Sequence, residues 1–520
     1  MERQSGTHLI ASDVVVVGGG YAGLAAALRL HDNAVDFTLV EAADRVGGRV
    51  LTEIRPGGGP LDHGGQWVGP TQTRLVELAA RFGCPTFPTW EKGSHIEVWH
   101  DGARVPYSGA APADGPGITE YVRITELLDA FARTVDTVRP WRTARFEEWD
   151  ALTARSFFRS ETDDVDALRR LALAVQGLWC AEPDEISLFH VLFYIAAAGG
   201  FEQLMETRGC AQDSRFRTGA AGPARAVAAL LGDRVRLGER VLSIAYAADG
   251  VRVRTPTALL RARRAIVALP PHAVRAVGFA PPLPAARDGW LSHSPMGRVA
   301  KIHAVYDAPF WREEGLSGVA TLYDDGPIGV VFDNSPEDGS RGVLVGFVYG
   351  DRVDRFAALD ETGRRAAVLD GLVSVVGPLA GRPRDYTEKI WPQDPFARGG
   401  YEAYTTPGGW SRHGERGWRE PTGPLHWAGT ETASEWNGYI DGAVSSGYRA
   451  ADEVLAVLAG TEGSDGSDGS DGSDGSDEAS ALGGSDEAVE ASGVGGLDEA
   501  DGASGSDEVD GASGLDGAAR

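Results

Sequence analysis

The 520 residues are enough for two or three domains with sizeable cores, and an apolar content of 42% is ordinary for a soluble protein. The net charge of −26 is unevenly spread. From Thr461 onward 17 acids and one arginine carry −16, which leaves −10 for the rest and argues against nucleic acid as a partner. There is no run of 18 apolar residues, no signal-peptide-like start, and no CxxC or metal-ligand spacing around Cys84, Cys180 and Cys210. The chain therefore reads as cytoplasmic, metal-free and off the membrane, with free thiols.

In chain order, the first element is a buried strand of four valines, Val14 to Val17. Gly18-x-Gly20-x-x-Gly23 follows at once, and then an Ala/Leu helix from Leu24 to Leu30. The first glycine allows the tight turn, the second lets backbone approach a pyrophosphate, and the third lets helix and strand pack closely. The helix N-terminus then faces the phosphate charge. Alone this motif is a weak signal; the strand before it and the helix after it supply the context it needs. A second strand, Phe37 to Val40, ends in Glu41, 18 residues beyond Gly23, where an acid can hold a ribose hydroxyl pair. These elements predict dinucleotide binding and leave NAD and FAD both open. Gly47-Gly48-Arg49 forms a second glycine turn, a loop or a further phosphate contact with Arg49 supplying charge. In Gly64-Gly65-Gln66-Trp67 the paired glycines suit a backbone pressed against a flat ring.

Together these three elements resemble the flavin-containing amine oxidase family, the monoamine oxidase group, and the resemblance runs from about Asp13 to Leu458. It implies that the cofactor is FAD, bound by the turn of Gly18, Gly20 and Gly23, with the stretch from Glu41 to Arg49 packed on its pyrophosphate. Gly48 and Arg49 would lie on the pyrophosphate, and Gly65, Gln66 and Trp67 along the ribityl chain and isoalloxazine. The expected fold is α/β: a Rossmann-like FAD-binding domain (10–83, 214–289 and 394–460) with an inserted α+β substrate domain of mixed sheet and helices (84–213 and 290–393). An acidic disordered tail (461–520) would follow.

Beyond the third motif, Leu75, Leu78, Ala79 and Phe82 predict a helix ended by Gly83. Short strands are expected at His95 to Trp99 and Ala103 to Tyr107, and helices over most of 119–212. The aromatics of that helical region read mainly as core, with Trp179 and Tyr194 the candidates for a substrate-cavity wall. A helix from Pro223 to Leu230 leads into short strands at Arg234 to Leu237, Arg240 to Ile244, Val251 to Thr255 and Ala265 to Leu269. Val241 reads as a core strand valine; the resemblance gives its backbone an adenine contact.

Lys301 sits in an alternating strand, on the face of Val299 and His303. A lone strand lysine is usually solvated, but the resemblance makes this one hold a water against flavin N5, and a buried lysine loses its proton readily. Further strands are expected at 319–324, 328–333 and 343–349, then a helix from Asp360 to Val376. The middle strand carries no acid before Asp333, which disfavours a diamine. The resemblance places Trp391 beside the flavin ring and makes Tyr401 and Tyr439 an aromatic pair around the amine. It also puts Glu431 near the ribityl and pyrophosphate, and the Ile440 amide, opening the last helix, at a ring carbonyl. Some family members carry a flavin-linking cysteine before the first tyrosine; here that residue is Gly400, so FAD is expected to be non-covalent.

The expected activity is oxidation of a small-molecule amine to an imine, hydrolysed to aldehyde or ketone, with O₂ reduced to hydrogen peroxide. A homodimer is compatible with this reading. Two alternatives stay open: an L-amino-acid oxidase of the same fold, with Arg155, Arg208 or Arg215 gripping a carboxylate, and a catalytically silent flavin-binding interaction protein.

Overall fold

The computed structural model describes residues 8–55, 59–109 and 111–462; of the segment expected to be disordered, Thr461 and Glu462 instead end the last helix and 463–520 lie outside the described residues. Val14–Val17 is the middle strand of a five-stranded parallel sheet. Its order is Val235–Arg236, Phe37–Val40, Val14–Val17, Arg264–Val267, Leu425–Trp427. Such a strand is covered on both faces, which is why it reads as an unbroken apolar run. On one face lie the helices Tyr21–Asp32 and Ile440–Glu462, with Leu24, Leu28, Val444 and Val454 in a common core. Val15 and Val17 face the other way, into a core shared with Ile244, Val253 and Leu260 of a second, mixed sheet of five strands.

A seven-stranded sheet forms the second layer system, in the order Asp385–Ile390, Val299–Tyr306, Gly342–Tyr349, Val330–Asp333, Leu316–Tyr323, Ser94–Trp99, Arg104–Tyr107. Lys301 is opposite Phe347 on one side and Lys389 on the other. The strand period of two sorts its residues as the sequence predicts. Ala300, Ile302 and Ala304 pack towards the helix Glu361–Val376, while Val299 joins Tyr323, Phe347, Tyr349 and Trp391 on the opposite face. The helix Val165–Trp179 reaches that face through Leu173, and the helices Ile118–Ala132 and Leu188–Ala198 share a core with its other side, through Ile124, Leu128, Leu171, Val175 and Leu192. Asp164 and Ser187 cap the second and third by accepting N–H bonds from their first turns.

Two strand expectations change. The edge strand is only Val235–Arg236 and pairs with Phe37–Val40, and the next strand is Ser243–Ala247, paired with Gly250–Arg254. Val241 is therefore not in a strand. Glu239 N–H is held by the Glu41 carbonyl and Leu242 N–H by Arg254, so the chain crosses the end of the parallel sheet at Val241 before joining the ladder. Among the described residues no helix is long and apolar enough to cross a membrane.

Candidate active site

A cavity of about 590 Å³ runs from the Gly18 turn to the seven-stranded sheet. Its two ends are built differently. At the first, Gly18 has φ +105°, and a Cβ there would meet the Ala268 carbonyl at 2.6 Å. A Cβ on Gly23 would strike the Gly18 carbonyl. Gly23 thus serves the contact of helix with strand and is not on the cavity wall, unlike Gly18 and Gly20. A Cβ on Gly20 would meet nothing nearer than Gly48 Cα, at 4.0 Å, so the space in front of it is left for something else. Gly20→Ala should therefore leave the melting temperature of flavin-free protein unchanged and weaken FAD binding about tenfold, ~1.4 kcal/mol. Titration with FAD checks this, with Gly23→Ala as the contrasting, destabilised variant.

Glu41 lines the cavity and its carboxylate accepts the N–H groups of Gly19 (2.5 Å) and Ala43 (2.8 Å). Arg49 is on the wall too, and donates to Glu431 at 2.5 and 3.1 Å and to the Tyr401 carbonyl at 3.0 Å. Glu431 stands behind Arg49, off the wall. Burial pulls its carboxyl up, but the Arg49 charge and hydrogen bonds bring it below the usual range. One buried pair thus joins the glycine turns to the segment carrying Tyr401.

At the second end Lys301, Trp67, Trp391, Tyr401, Tyr439 and Ile440 all line the cavity. Tyr401 packs on Phe347 and Tyr349 (ring centroids 6.3 and 6.4 Å), and Tyr439 on Tyr194 and Trp436 (5.9 and 4.9 Å). Each ring is thus braced from its own side. Trp391 is fixed by its indole N–H on the His63 carbonyl, 2.8 Å. Lys301 is 2% exposed and donates to the Gly64 carbonyl at 2.9 Å and to Gln66 Oε1 at 2.5 Å. Burial lowers its amine from 10.5 to about 7, opposed by the Asp62 carboxylate and reinforced by Arg215. Of the two helical-region candidates, Tyr194 is on the wall and Trp179 is buried behind it, 5.0 Å away.

Beyond the tyrosines the walls are Phe332, Phe347, Tyr349, Leu173 and Val330, and the far end is polar. There Arg170 and Glu97, 2% and 3% exposed, pair at 2.6 and 2.8 Å. Arg170 also donates to Tyr323 Oη and the Pro116 carbonyl, and Trp99 Nε1 donates to Glu97. The three arginines weighed for a carboxylate grip are elsewhere. Arg155 pairs with Asp184, Arg208 with Glu91, and Arg215 donates to the Asn334 and Ser335 carbonyls. Asp333 is used up by Trp311, Arg312 and the Ser335 amide.

Several cavity residues had escaped sequence reasoning. Phe347 and Tyr349 were recoverable by extending the alternation of their strand once its antiparallel pairing with Lys301 was assumed. His63 carried no such signal, because it lies in an irregular turn.

The residues suit FAD on structural grounds. Among the described residues neither the amide nor the carbonyl of Val241 has a hydrogen-bond partner, and Val241 is on the cavity wall. The Ile440 amide, first in its helix, is likewise unpartnered, as is the buried Trp67 Nε1. Glycine-lined backbone at one end, open donors along the length and a flat aromatic slot at the other match a dinucleotide ending in a ring system.

Comparison with known proteins agrees. Residues 21–455 match the family model of flavin containing amine oxidoreductases. The chain is 40% identical over 448 residues to the putative flavin-containing monoamine oxidase AofH of Mycobacterium tuberculosis, covering 86% of this chain and 97% of that one. It is 34% identical over 459 residues to an L-amino acid dehydrogenase of Synechocystis, covering 86% and 95%. Cyclohexylamine oxidase from Brevibacterium oxydans superposes with a TM-score of 0.83 at 32% identity, covering 86% of this chain and 99% of that one. The chain belongs to the flavin-containing amine oxidase family and is an FAD-dependent oxidoreductase acting on amine donors.

Proposed function

We propose that the chain oxidises an uncharged monoamine with an apolar or aromatic body, held between the rings of Tyr401 and Tyr439. The observation that carries this reading is that both tyrosines and Lys301 line the cavity that starts at the Gly18 turn. Bound FAD supplies the acceptor for the two electrons of the amine's α C–H and passes them to O₂, yielding hydrogen peroxide.

The protein's own groups orient, stabilise and move protons. Facing tyrosine rings restrict how the amine approaches and orient its nitrogen. The Ile440 N–H, at a helix N-terminus, favours negative charge gathering on the ring carbonyl. Trp391 flanks the ring. Glu41 holds the ribose, Val241 the adenine, Gly48 and Arg49 the pyrophosphate, and Gly65, Gln66 and Trp67 the ribityl and ring. Lys301, with a proton affinity close to neutrality, exchanges a proton with a water at the reacting edge of the ring. We assign glycine-turn, 214–289 and 394–460 segments to FAD binding and the intervening ones to the amine.

FAD is non-covalent: Gly400 offers no thiol, and Cys84, Cys180 and Cys210 are buried away from the cavity wall. Acid or urea denaturation should release all the yellow colour; colour left on the precipitated chain would contradict this. Unpaired thiols also favour a reducing, cytoplasmic setting.

An apolar monoamine is favoured over an amino acid because Arg170, the arginine at the far end, is already neutralised by Glu97. It is favoured over a diamine because Asp333 is fully engaged. Peroxide release across phenylethylamine, cyclic amines, putrescine, spermidine and amino acids tests this. We expect the first two to dominate. Activity confined to amino acids would sink the reading, and silence with every amine would favour a flavin-binding interaction protein.

A further inference from the structure

His303 is 0% exposed, and neither ring nitrogen has a hydrogen-bond partner in the protein. Each such orphan costs roughly 1–3 kcal/mol unless water satisfies it. The ring stands two residues from Lys301 on the same strand face, about 7 Å away by strand geometry. Its other neighbour is His63, ring centroids 5.2 Å apart in an edge-on contact. His63 Nε2 is 2.8 Å from Glu53 Oε2, and the Glu53 side chain is 42% exposed. Nε2 thus shares a hydrogen bond with Glu53: when Glu53 carries a proton, Nε2 accepts it and the hydrogen on Nδ1, which Thr387 Oγ1 approaches only at 3.5 Å, is the one released inward. Lys301 reaches the same seam, bonded to the carbonyl of Gly64, the residue after His63.

We propose that Glu53, His63, His303 and Lys301 form a water-linked path that carries a proton from solvent to the oxygen-reacting edge of the cavity. Oxidation of a neutral amine needs one such proton per turnover. The substrate gives two electrons and one proton as a hydride equivalent and leaves as an iminium, RCH=NH₂⁺. O₂ takes those electrons, that proton and one further proton to become H₂O₂. Nothing in the reaction supplies the last proton except solvent, and Lys301 is buried. Lys301, His63, Arg215 and Arg55 all bear on His303, and after burial itself they disfavour a charge on its ring. His303 therefore passes the proton as a neutral ring, taking it at one nitrogen while releasing it from the other.

This rests on the assignment of Lys301 above, and the two fail separately. The test uses full-length holoenzyme reduced anaerobically by phenylethylamine and then mixed with O₂ and a pH indicator. In the parent protein one proton is taken up per flavin reoxidised, in step with reoxidation. His303→Leu and Glu53→Gln should each slow both by about tenfold, less than the loss of a direct proton donor costs. Millimolar imidazole should restore Glu53→Gln, whose site faces solvent, and not His303→Leu. His303→Gln, which keeps a donor and an acceptor, should recover part of the rate. In the flavin-free protein His303→Leu should lower the melting temperature, because it strands the waters bonded to the ring. A higher melting temperature would mean that the ring has no partners in solution and would overturn the path. So would reoxidation at the parent rate in both variants while Lys301→Met is slow. If Lys301→Met also reoxidises at the parent rate, the Lys301 assignment itself falls.

Discussion

Lys301→Met should keep its FAD and lose between about 100- and 10,000-fold in the rate at which the reduced enzyme reacts with O₂, the range that loss of a positioned proton donor costs. The substitution preserves length and apolar stem while removing the one group that donates to both Gly64 and Gln66. Its pH behaviour makes the prediction specific. Burial brings the amine to about 7, so it is charged below that pH and neutral above it. Reoxidation by the parent enzyme should be fastest below pH 7 and fall about tenfold per unit above it, towards a floor. Lys301→Met should sit at that floor at every pH. Stability carries the same signature. Between pH 7 and 10.5 the unfolded chain holds a proton that the folded chain does not, so stability rises with pH across this window. Denaturation of flavin-free protein at several pH values should show that slope, flattened in Lys301→Met. Stopped-flow reoxidation with no bend near pH 7 would remove Lys301 from the role given to it.

In flavin-free protein Glu431→Ala should cost about 3 kcal/mol, the lower end of what breaking a buried pair costs, because it leaves the partly buried Arg49 guanidinium without its counter-charge. With Arg49 and Glu431 side chains 22% and 6% exposed, solvent repays little of that loss. Arg49 also holds the Tyr401 carbonyl, and Glu431 accepts the Ala403 N–H, so the residue flanking the amine should lose its anchor with the pair. Weaker FAD binding and a lower denaturation midpoint are both expected. Arg49→Ala combined with Glu431→Ala should cost less than the two single changes summed, since the second removal no longer strands a charge. Strict additivity in urea titrations would show that the two residues act independently.

Local features of the chain were legible wherever the cause was local. Val14 to Val17 and the Gly18-x-Gly20-x-x-Gly23 turn announce strand, turn and helix within a few residues of one another, and the structure has them there. The alternation around Lys301 was equally readable, since a strand's period of two is a property of the backbone alone. Val241 departs from its local signal for a complementary reason. Its β-branched neighbourhood favours a strand, but the Glu41 carbonyl holds Glu239 and delays the ladder to Ser243.

What only the tertiary structure decided is everything that depends on residues far apart in the chain. The pairing of Arg49 with Glu431 spans 382 residues, and the contact of Lys301 with Gln66 spans 235. Arg170 could not be separated by sequence from Arg155, Arg208 and Arg215, because what distinguishes an arginine as free or committed is the carboxylate that folding brings to it. The same holds for His303: its place on the Lys301 face was written in the strand period, while its approach to His63 and Glu53 required the seven-stranded sheet to close against the turn after Asp62. By itself the sequence determined a dinucleotide-binding α/β chain, since glycine turns and strand runs encode backbone geometry locally, and its resemblance to the flavin-containing amine oxidases implied FAD and the activity. The shape and charge of the cavity came from tertiary packing, because proton affinity and hydrogen-bond satisfaction are set by desolvation and distant partners.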